Sequence, residues 1–297
     1  MFDRPGSLNS IRVFESAARR GSFKEAAEEL HITPTAVSHQ IRNLEAQLNV
    51  ALFERRTRAV FLTEAGTRLA DAARLSLQTL ADAVEEISGR PGTLTINTTS
   101  AFATLWLVPR LPSFYRCCPD LWVVVQSDER LVDLKRERQV DIAIRYGRPP
   151  GEGGAEPLLQ ENFGLYGSAD SLARLQKGES VPLFETRWQN RRLPPVTAAQ
   201  WLERFAPHGE KVEHYHYDQE LQVIQAALVG QGLAFASELL VESAVRRGWL
   251  RPYRGACQLP GFGYYLLTVD GDRRPKVARF RTWLKEQLSA AAGDGGD

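Results

Sequence analysis

Apolar residues recur at helical spacing through the first fifty positions. Leu8, Ile11, Val13/Phe14 and Ala17/Ala18 mark a helix that Gly21 stops. Ser22 caps a second helix over Phe23–Leu30, with Glu25 placed to reach back in a capping box and Ala26, Ala27 and Leu30 turned inward. After a turn at His31-Ile32, Thr33 caps a third helix and Pro34 fits its first position. The buried stripe of that helix is Ala36/Val37, Ile41, Leu44 and Leu48. A short helix, a tight turn and a longer helix predict a helix-turn-helix. With the stripe packed inward, Thr35, Ser38, His39 and Arg42 share the outward face. Short hydroxyls allow close approach to phosphates, His and Arg reach base edges, and the helix start offers free amides. Ser22 and Thr33, at the two helix starts, join these as candidate DNA contacts.

Next come two short apolar strands flanking Arg55-Arg56-Thr57-Arg58, a basic hairpin. Alone it reads as a solvated turn. Beside a helix-turn-helix, Arg55, Arg56 and Arg58 read as a wing on a phosphate backbone or minor groove. Thr63 then caps a long helix running to about Ile87. Its positions Leu69, Ala73, Ser76, Leu80, Ala83 and Ile87 alternate spacings of four and three, as a pairing seam requires. Leu69, Ala73, Leu80 and Ile87 are the candidate dimerisation residues. Ser88-Gly-Arg-Pro-Gly92 breaks the pattern as a hinge.

Beyond Gly92 the period changes. Strands are expected at 94–98, 121–126 and 140–146, with helices at 105–117, interrupted early by Pro109, and 131–138. Residues 163–167 cross to a second lobe containing helix 218–229, strand 233–236 and helix 238–247. Residues 264–269 return, and 275–288 form a closing amphipathic helix. Alternating strands and helices indicate an α/β fold with a largely parallel sheet.

The chain has 297 residues, enough for two or three domains, and its apolar and charged fractions of 43% and 25% are those of a soluble globular protein. A net charge of +1 advertises no polyanion partner but leaves room for a local basic patch. The sequence holds neither a long apolar run nor a secretory leader pattern, so no membrane partner and a cytoplasmic location are expected. Cys117, Cys118 and Cys257 match neither a disulfide framework nor a metal spacing. His214 and His216 alternate on one strand face near Glu213 and Asp218. They read as surface residues rather than metal ligands. No metal and no cofactor are expected. There is no nucleophile elbow, glycine-rich nucleotide loop or clustered catalytic pair, so the chain reads as no enzyme.

Residues 8–66, and above all "AAEELHITPTAVSHQIRNLEAQL" followed by "LFERRTRAVFLTEAG", closely resemble the winged helix-turn-helix of LysR-type transcriptional regulators. The likeness extends over nearly the whole chain. It implies an α+β multidomain fold: a winged helix-turn-helix at 1–62, a dimerising linker helix at 63–89 and an effector domain at 90–297. That effector domain would be two-lobed and periplasmic-binding-protein-like, with lobe I about 92–164 and 267–297 and lobe II about 165–266. It also implies a double-stranded DNA operator, a small-molecule effector, a homodimer or homotetramer, and contact with RNA polymerase.

In such folds ligands sit at strand C-termini between lobes. The candidates are Thr99, Ser100 and Ala101 after the first strand, Gln126, Ser127 and Asp128 after the second, Arg145 and Tyr146 ending the third, Gln219 and Glu220 opening a lobe II helix, and Tyr265 near the return crossing. Each has a plainer reading: Arg145 as a structural ion-pair partner, Tyr265 as core, Thr99 as an N-cap. "DIAIRYG", "WLVPRLPSF" and "GWLRPY" look most like the subgroup of the glycine-cleavage activator and the β-lactamase-inducing regulator. The effector hydroxyls of the latter type fall here on Ala101, on Gln219 or Glu220, and on Tyr265. Two of the three depart, which argues against a muropeptide. Glu220 suits an amine, and Ser100 with Arg145 suits a carboxylate, so an amino acid or small carboxylate is the expected effector. Two rivals stand beside this reading: a solute-binding or amino-acid-processing protein with an accessory DNA domain, and an architectural DNA-binding protein without a ligand.

Overall fold

A computed structural model describes residues 7–56, 59–87, 92–128, 134, 140–150, 155–188, 194–206, 209–255, 257–269 and 271–293, with backbone alone for 55, 56, 59, 85, 86 and 291–293. The chain divides into two compact units, residues 1–92 with 133–139, and 93–132 with 140–297.

In the first unit, α1 (Leu8–Arg20), α2 (Phe23–Leu30) and α3 (Pro34–Leu48) are followed by the antiparallel hairpin β1 (Phe53–Arg56) and β2 (Ala59–Leu62), then by α4 (Glu64–Ile87). Each of the first three helices starts on a side-chain cap: Ser7 Oγ accepts from Ser10 N, Ser22 Oγ from Glu25 N and Thr33 Oγ1 from Ala36 N. Each ends on a left-handed residue, Gly21, His31 and Asn49. Val13, Phe14, Ala26, Ala27, Val37, Ile41, Leu44 and Phe53 form one buried core. The Phe53 ring sits 5.5 Å from Phe14 and 5.3 Å from Phe23, so the hairpin is anchored on the helices by an aromatic contact. Across the unit, Glu29 accepts from Arg20 at 2.7 Å and from Arg19. Burial opposes its ionisation, but the two arginines hold its carboxyl below the usual range.

The second unit is built on a sheet of order β4-β3-β5-β11-β6-β9-β7-β8, with β10 on β6. Its first part holds β3 (Gly92–Thr98), a π-helical segment (Phe102–Leu107) running into α5 (Val108–Cys117), β4 (Leu121–Ser127) and β5 (Ile142–Gly147). The long strand β6 (Ala155–Gly167) then leads to α6 (Ala169–Gln176), β7 (Val181–Thr186), α7 (Ala198–Phe205), β8 (Val212–Tyr217), α8 (Glu220–Leu228), β9 (Leu233–Ser237), α9 (Glu238–Arg246) and β10 (Arg251–Tyr253). Strand β11 (Leu259–Leu267) and α10 (Pro275–Gly293) close the chain. Pairing is parallel in each flank, β3 with β5 and β7 with β8 and β9. It is antiparallel in the middle, where β11 lies between β5 and β6 and β6 continues onto β9. The sheet is therefore parallel only in its flanks.

The helix expected from residue 105 begins earlier. Thr99 Oγ1 accepts from Phe102 N at 3.3 Å and starts it at Ser100. Pro109 does not interrupt it, because the turns before it widen: Val108 N reaches five residues back to Ala103 O. The expected helix at 131–138 lies outside the described residues, apart from Leu134. At the return of the chain, Arg274 meets Asp141 at 2.6 Å and Asp272 at 2.7 Å, all three buried, and ties the start of α10 to β5.

Candidate functional site

On α3 the burial pattern sorts the side chains. Val37, Ile41 and Leu44 are fully buried, while Thr35, His39 and Arg42 are exposed and Ser38 is half-exposed between them. The outward row is pre-set by local bonds. Arg42 Nε donates to Ser38 O at 3.2 Å, and Asn43 Nδ2 meets His39 Nδ1 at 3.3 Å. Ser22 and Thr33 spend their hydroxyls on the caps of α2 and α3. Ser22 thus supplies one half of the expected capping box; the reciprocal form occurs at Thr197 and Gln200. Glu45, on the same helix, turns its Oε1 to Leu52 N at 2.8 Å and Phe53 N at 3.1 Å, which fixes the wing against α3. Arg55 and Arg56 end β1, opposite Val60 and Ala59. Arg58 lies outside the described residues.

The α4 seam divides in two. Leu69 packs on the core of its own unit and Ala73 is buried, whereas Leu80 is 49%, Val84 66% and Ile87 87% exposed. The last three, spaced by four and three, form an apolar stripe along the second half of the helix.

In the second unit the candidates fall on two faces of the sheet. Arg145 stands opposite Tyr265, and Tyr146 opposite Tyr264. Adjacent strand residues point to opposite faces, so Arg145 and Tyr265 share one face and Tyr146 and Tyr264 the other. Arg145 is buried; its Nη1 donates to Asn97 O at 2.9 Å and Ile144 O at 2.8 Å, and its Nη2 to Asn97 Oδ1. Tyr265 is buried beside it, and burial pushes its phenol up. Thr99 caps the helix that Ser100 and Ala101 begin, Ala101 being buried. Gln126 and Ser127 end the edge strand β4, and Asp128 N bonds Thr98 O at 3.0 Å. Gln219 is the N-cap residue of α8.

Tyr146 is a meeting point. Its ring stacks on Trp188 at 5.3 Å and contacts Tyr264 at 5.6 Å and Phe163 at 6.0 Å, while its hydroxyl accepts from Phe262 N at 2.9 Å. Burial, with the charges of Glu220 and Glu161, pushes its phenol well above the usual range. Glu220 Oε1 accepts from Ser237 N at 2.8 Å. Glu161, which the sequence reading did not single out, lies buried on β6 within reach of the same turn. A cavity of about 500 Å³ opens beside the crossing strands, lined among others by Arg148, Gln160, Phe262, Tyr264 and Tyr265. That volume suits a small molecule. Arg148 lies 5.4 Å over the Phe262 ring there.

His214 and His216 turn toward Glu185 Oε1 on the neighbouring strand, at 3.5 and 3.1 Å. Among the described residues, no helix is long and apolar enough to cross a membrane.

Residues 8–67 match the family described as bacterial regulatory helix-turn-helix protein, lysR family, and residues 88–289 match the LysR substrate binding domain. The glycine cleavage system transcriptional activator of Escherichia coli K12 is 33% identical over 299 residues, covering 98% of this chain and 96% of that protein. The regulator TrpI of Pseudomonas aeruginosa is 31% identical, covering 95% of this chain and 98% of its own. Among solved structures, ArgP of Mycobacterium tuberculosis has a TM-score of 0.60 at 21% identity over 97% of this chain and 98% of that one. LysG of Corynebacterium glutamicum, solved with bound effector Arg, has 0.58 at 19% over 96% and 98%. The glycine cleavage activator and TrpI are named transcriptional regulators, a family of non-enzymes, and the chain belongs to the LysR family of bacterial transcriptional regulators.

Proposed function

We propose that this regulator reads a specific DNA sequence through the outward row of α3 and answers to an amino acid held in the second unit. The observation that carries the first part is the sorting of α3: Thr35, Ser38, His39 and Arg42 stand outward above the buried Val37, Ile41 and Leu44. Such a helix enters a major groove with base-reaching side chains at its N-terminal half, while Arg55, Arg56 and Arg58 of the wing meet backbone phosphates. The exposed stripe Leu80, Val84 and Ile87 pairs with its copy, and the resulting two-fold protein reads two half-sites. A larger assembly and contact with RNA polymerase follow the pattern expected of the family.

Support for an amino acid comes from the chemistry around Tyr146. Glu220 offers a carboxylate whose charge reaches Tyr146, Tyr146 and Trp188 form a stacked aromatic pair, and Arg148 lines the cavity bounded by Tyr264, a ring neighbour of Tyr146. In this reading Arg148 takes the carboxylate role first given to Arg145, whose guanidinium is engaged with Asn97. The names of two relatives, a glycine cleavage activator and a structure with bound Arg, point to the same class. The test is selection of binding sites from random duplexes, followed by binding measurements with and without amino acids. A selected site with two related half-sites and an amino-acid-dependent footprint supports the reading; recovery of unrelated sequences removes it.

A further inference from the structure

Glu161 lies in β6, between Gln160 and Asn162, and is 2% exposed. Its Oε1 accepts two long bonds, from Asn162 N at 3.3 Å and Leu239 N at 3.4 Å. Its Oε2 is buried with no hydrogen-bond partner among the described residues. Glu220, at the start of α8, holds Ser237 N at 2.8 Å. Two carboxyl groups from distant elements therefore converge on one turn, residues 237–239, where α9 begins. Glu161 is buried and Glu220 half-buried; as anions the two would repel each other, and the orphaned oxygen of the buried Glu161 is satisfied by a proton or by a cation. Tyr146 stands beside both, stacked on Trp188, and aromatic faces favour a cation over an anion.

Burial, with the charge of Glu220 adding to it and the polar groups of residues 237–239 opposing it, pushes the Glu161 carboxyl up to about 8. The other titratable groups around it are Glu220 on α8, Tyr146 on β5 and Tyr166 on β6; burial raises both phenols, so the tyrosines stay neutral. At pH 7 Glu161 holds its proton.

We propose that Glu161, together with Glu220, receives the ammonium group of the effector, and that Glu161 releases its proton to solvent as the ammonium arrives. The balance is simple. A neutral carboxyl and an R–NH3+ ligand become a carboxylate paired with the same R–NH3+, and one H+ passes to the buffer; only the carboxyl O–H bond breaks. Charge then appears at the N-terminus of α9, where the helix dipole stabilises it. The same helix holds Arg110 of α5 through Glu242 at 2.5 Å, so ligand and inter-element contact act on one body.

The inference rests on the effector reading above, and the test separates the two. Full-length protein is titrated calorimetrically at pH 7 with glycine and glycolate, L-alanine and L-lactate, L-phenylalanine and L-phenyllactate, and L-arginine. Each titration is run in phosphate and in Tris, whose ionisation enthalpies differ. At least one amino acid is expected to bind at least tenfold more tightly than its hydroxy acid, with net proton release that the two buffers reveal. Glu161→Gln, and independently Glu220→Gln, should each weaken that binding at least tenfold, and Glu161→Gln should abolish the proton release. Circular dichroism melting checks that each variant folds. A hydroxy acid binding as well as its amino acid overturns the inference and leaves the effector reading standing. So does proton release that survives Glu161→Gln. Silence from the whole panel overturns both.

Discussion

Gly66, in the first turn of α4, lies against the carbonyl oxygen of Leu52, where an added Cβ would come within 2.1 Å. The close approach is held by Thr63, whose Oγ1 donates to Ala51 O at 2.8 Å and accepts from Gly66 N at 3.0 Å. Leu52 N and Phe53 N are bound in turn by Glu45 of α3. Residues 51–53 thus join α3, the β1–β2 hairpin and α4. The nearest atom is backbone oxygen, which cannot swing aside as a side chain would, so Gly66→Ala should destabilise the first unit by about 1–3 kcal/mol. A thermal melt of the variant that overlays the wild type would show that the approach is not tight.

His39 is exposed on α3 and only lightly restrained by Asn43. His39→Ala is expected to cost about 1–3 kcal/mol at the selected operator and to relax preference at one base position. The check is a set of binding curves on the operator and its single-base variants. An equal loss on every duplex would assign His39 to the phosphate backbone instead.

Leu80 and its neighbours Val84 and Ile87 face outward in the single chain. Leu80→Glu places a charge in the proposed pairing stripe and should shift the mass measured by sedimentation toward the monomer. Paired operator half-sites should then be bound more weakly. Unchanged mass would move the interface elsewhere.

Glu161 sets a pH dependence whose sign is fixed. Its carboxyl rises from 4.5 in the unfolded chain to about 8 in the fold. Between those values the folded state holds a proton that the unfolded state has lost, so stability falls as pH rises. The contribution is complete below pH 4.5 and is lost as pH passes through about 8. Glu161→Gln removes this loss, so the variant should gain on the wild type in chemical denaturation as pH increases from 5 to 9. Parallel pH profiles for the two proteins would contradict it.

The outward row of α3 was legible because an amphipathic helix writes its faces into a 3.6-residue period; Val37, Ile41 and Leu44 name the buried side and leave Thr35, Ser38, His39 and Arg42 outside. The seam of α4 carries the same period, but sequence spacing does not say which turns are covered within the chain, as they are at Leu69 and Ala73. The effector side was harder. Arg145 and Tyr146 are neighbours in sequence and stand on opposite faces of β5, a consequence of the two-residue period of a strand. Glu161 sits in the polar run Gln160-Glu161-Asn162, which reads like a solvated bend. Its burial depends on Ser237 and Leu239, brought to β6 by pairing with β9. Long-range pairing of this kind leaves no local periodicity to read.

The most direct test of sequence reading by α3 is equilibrium binding of the full-length protein to its selected operator and to a scrambled duplex of equal length and composition. The measurement is repeated at several salt concentrations. The operator is expected to bind at least about a thousandfold more tightly at physiological salt, with both affinities falling as salt rises. Equal affinity for the two duplexes would contradict sequence reading by α3 and leave a backbone-binding protein in its place.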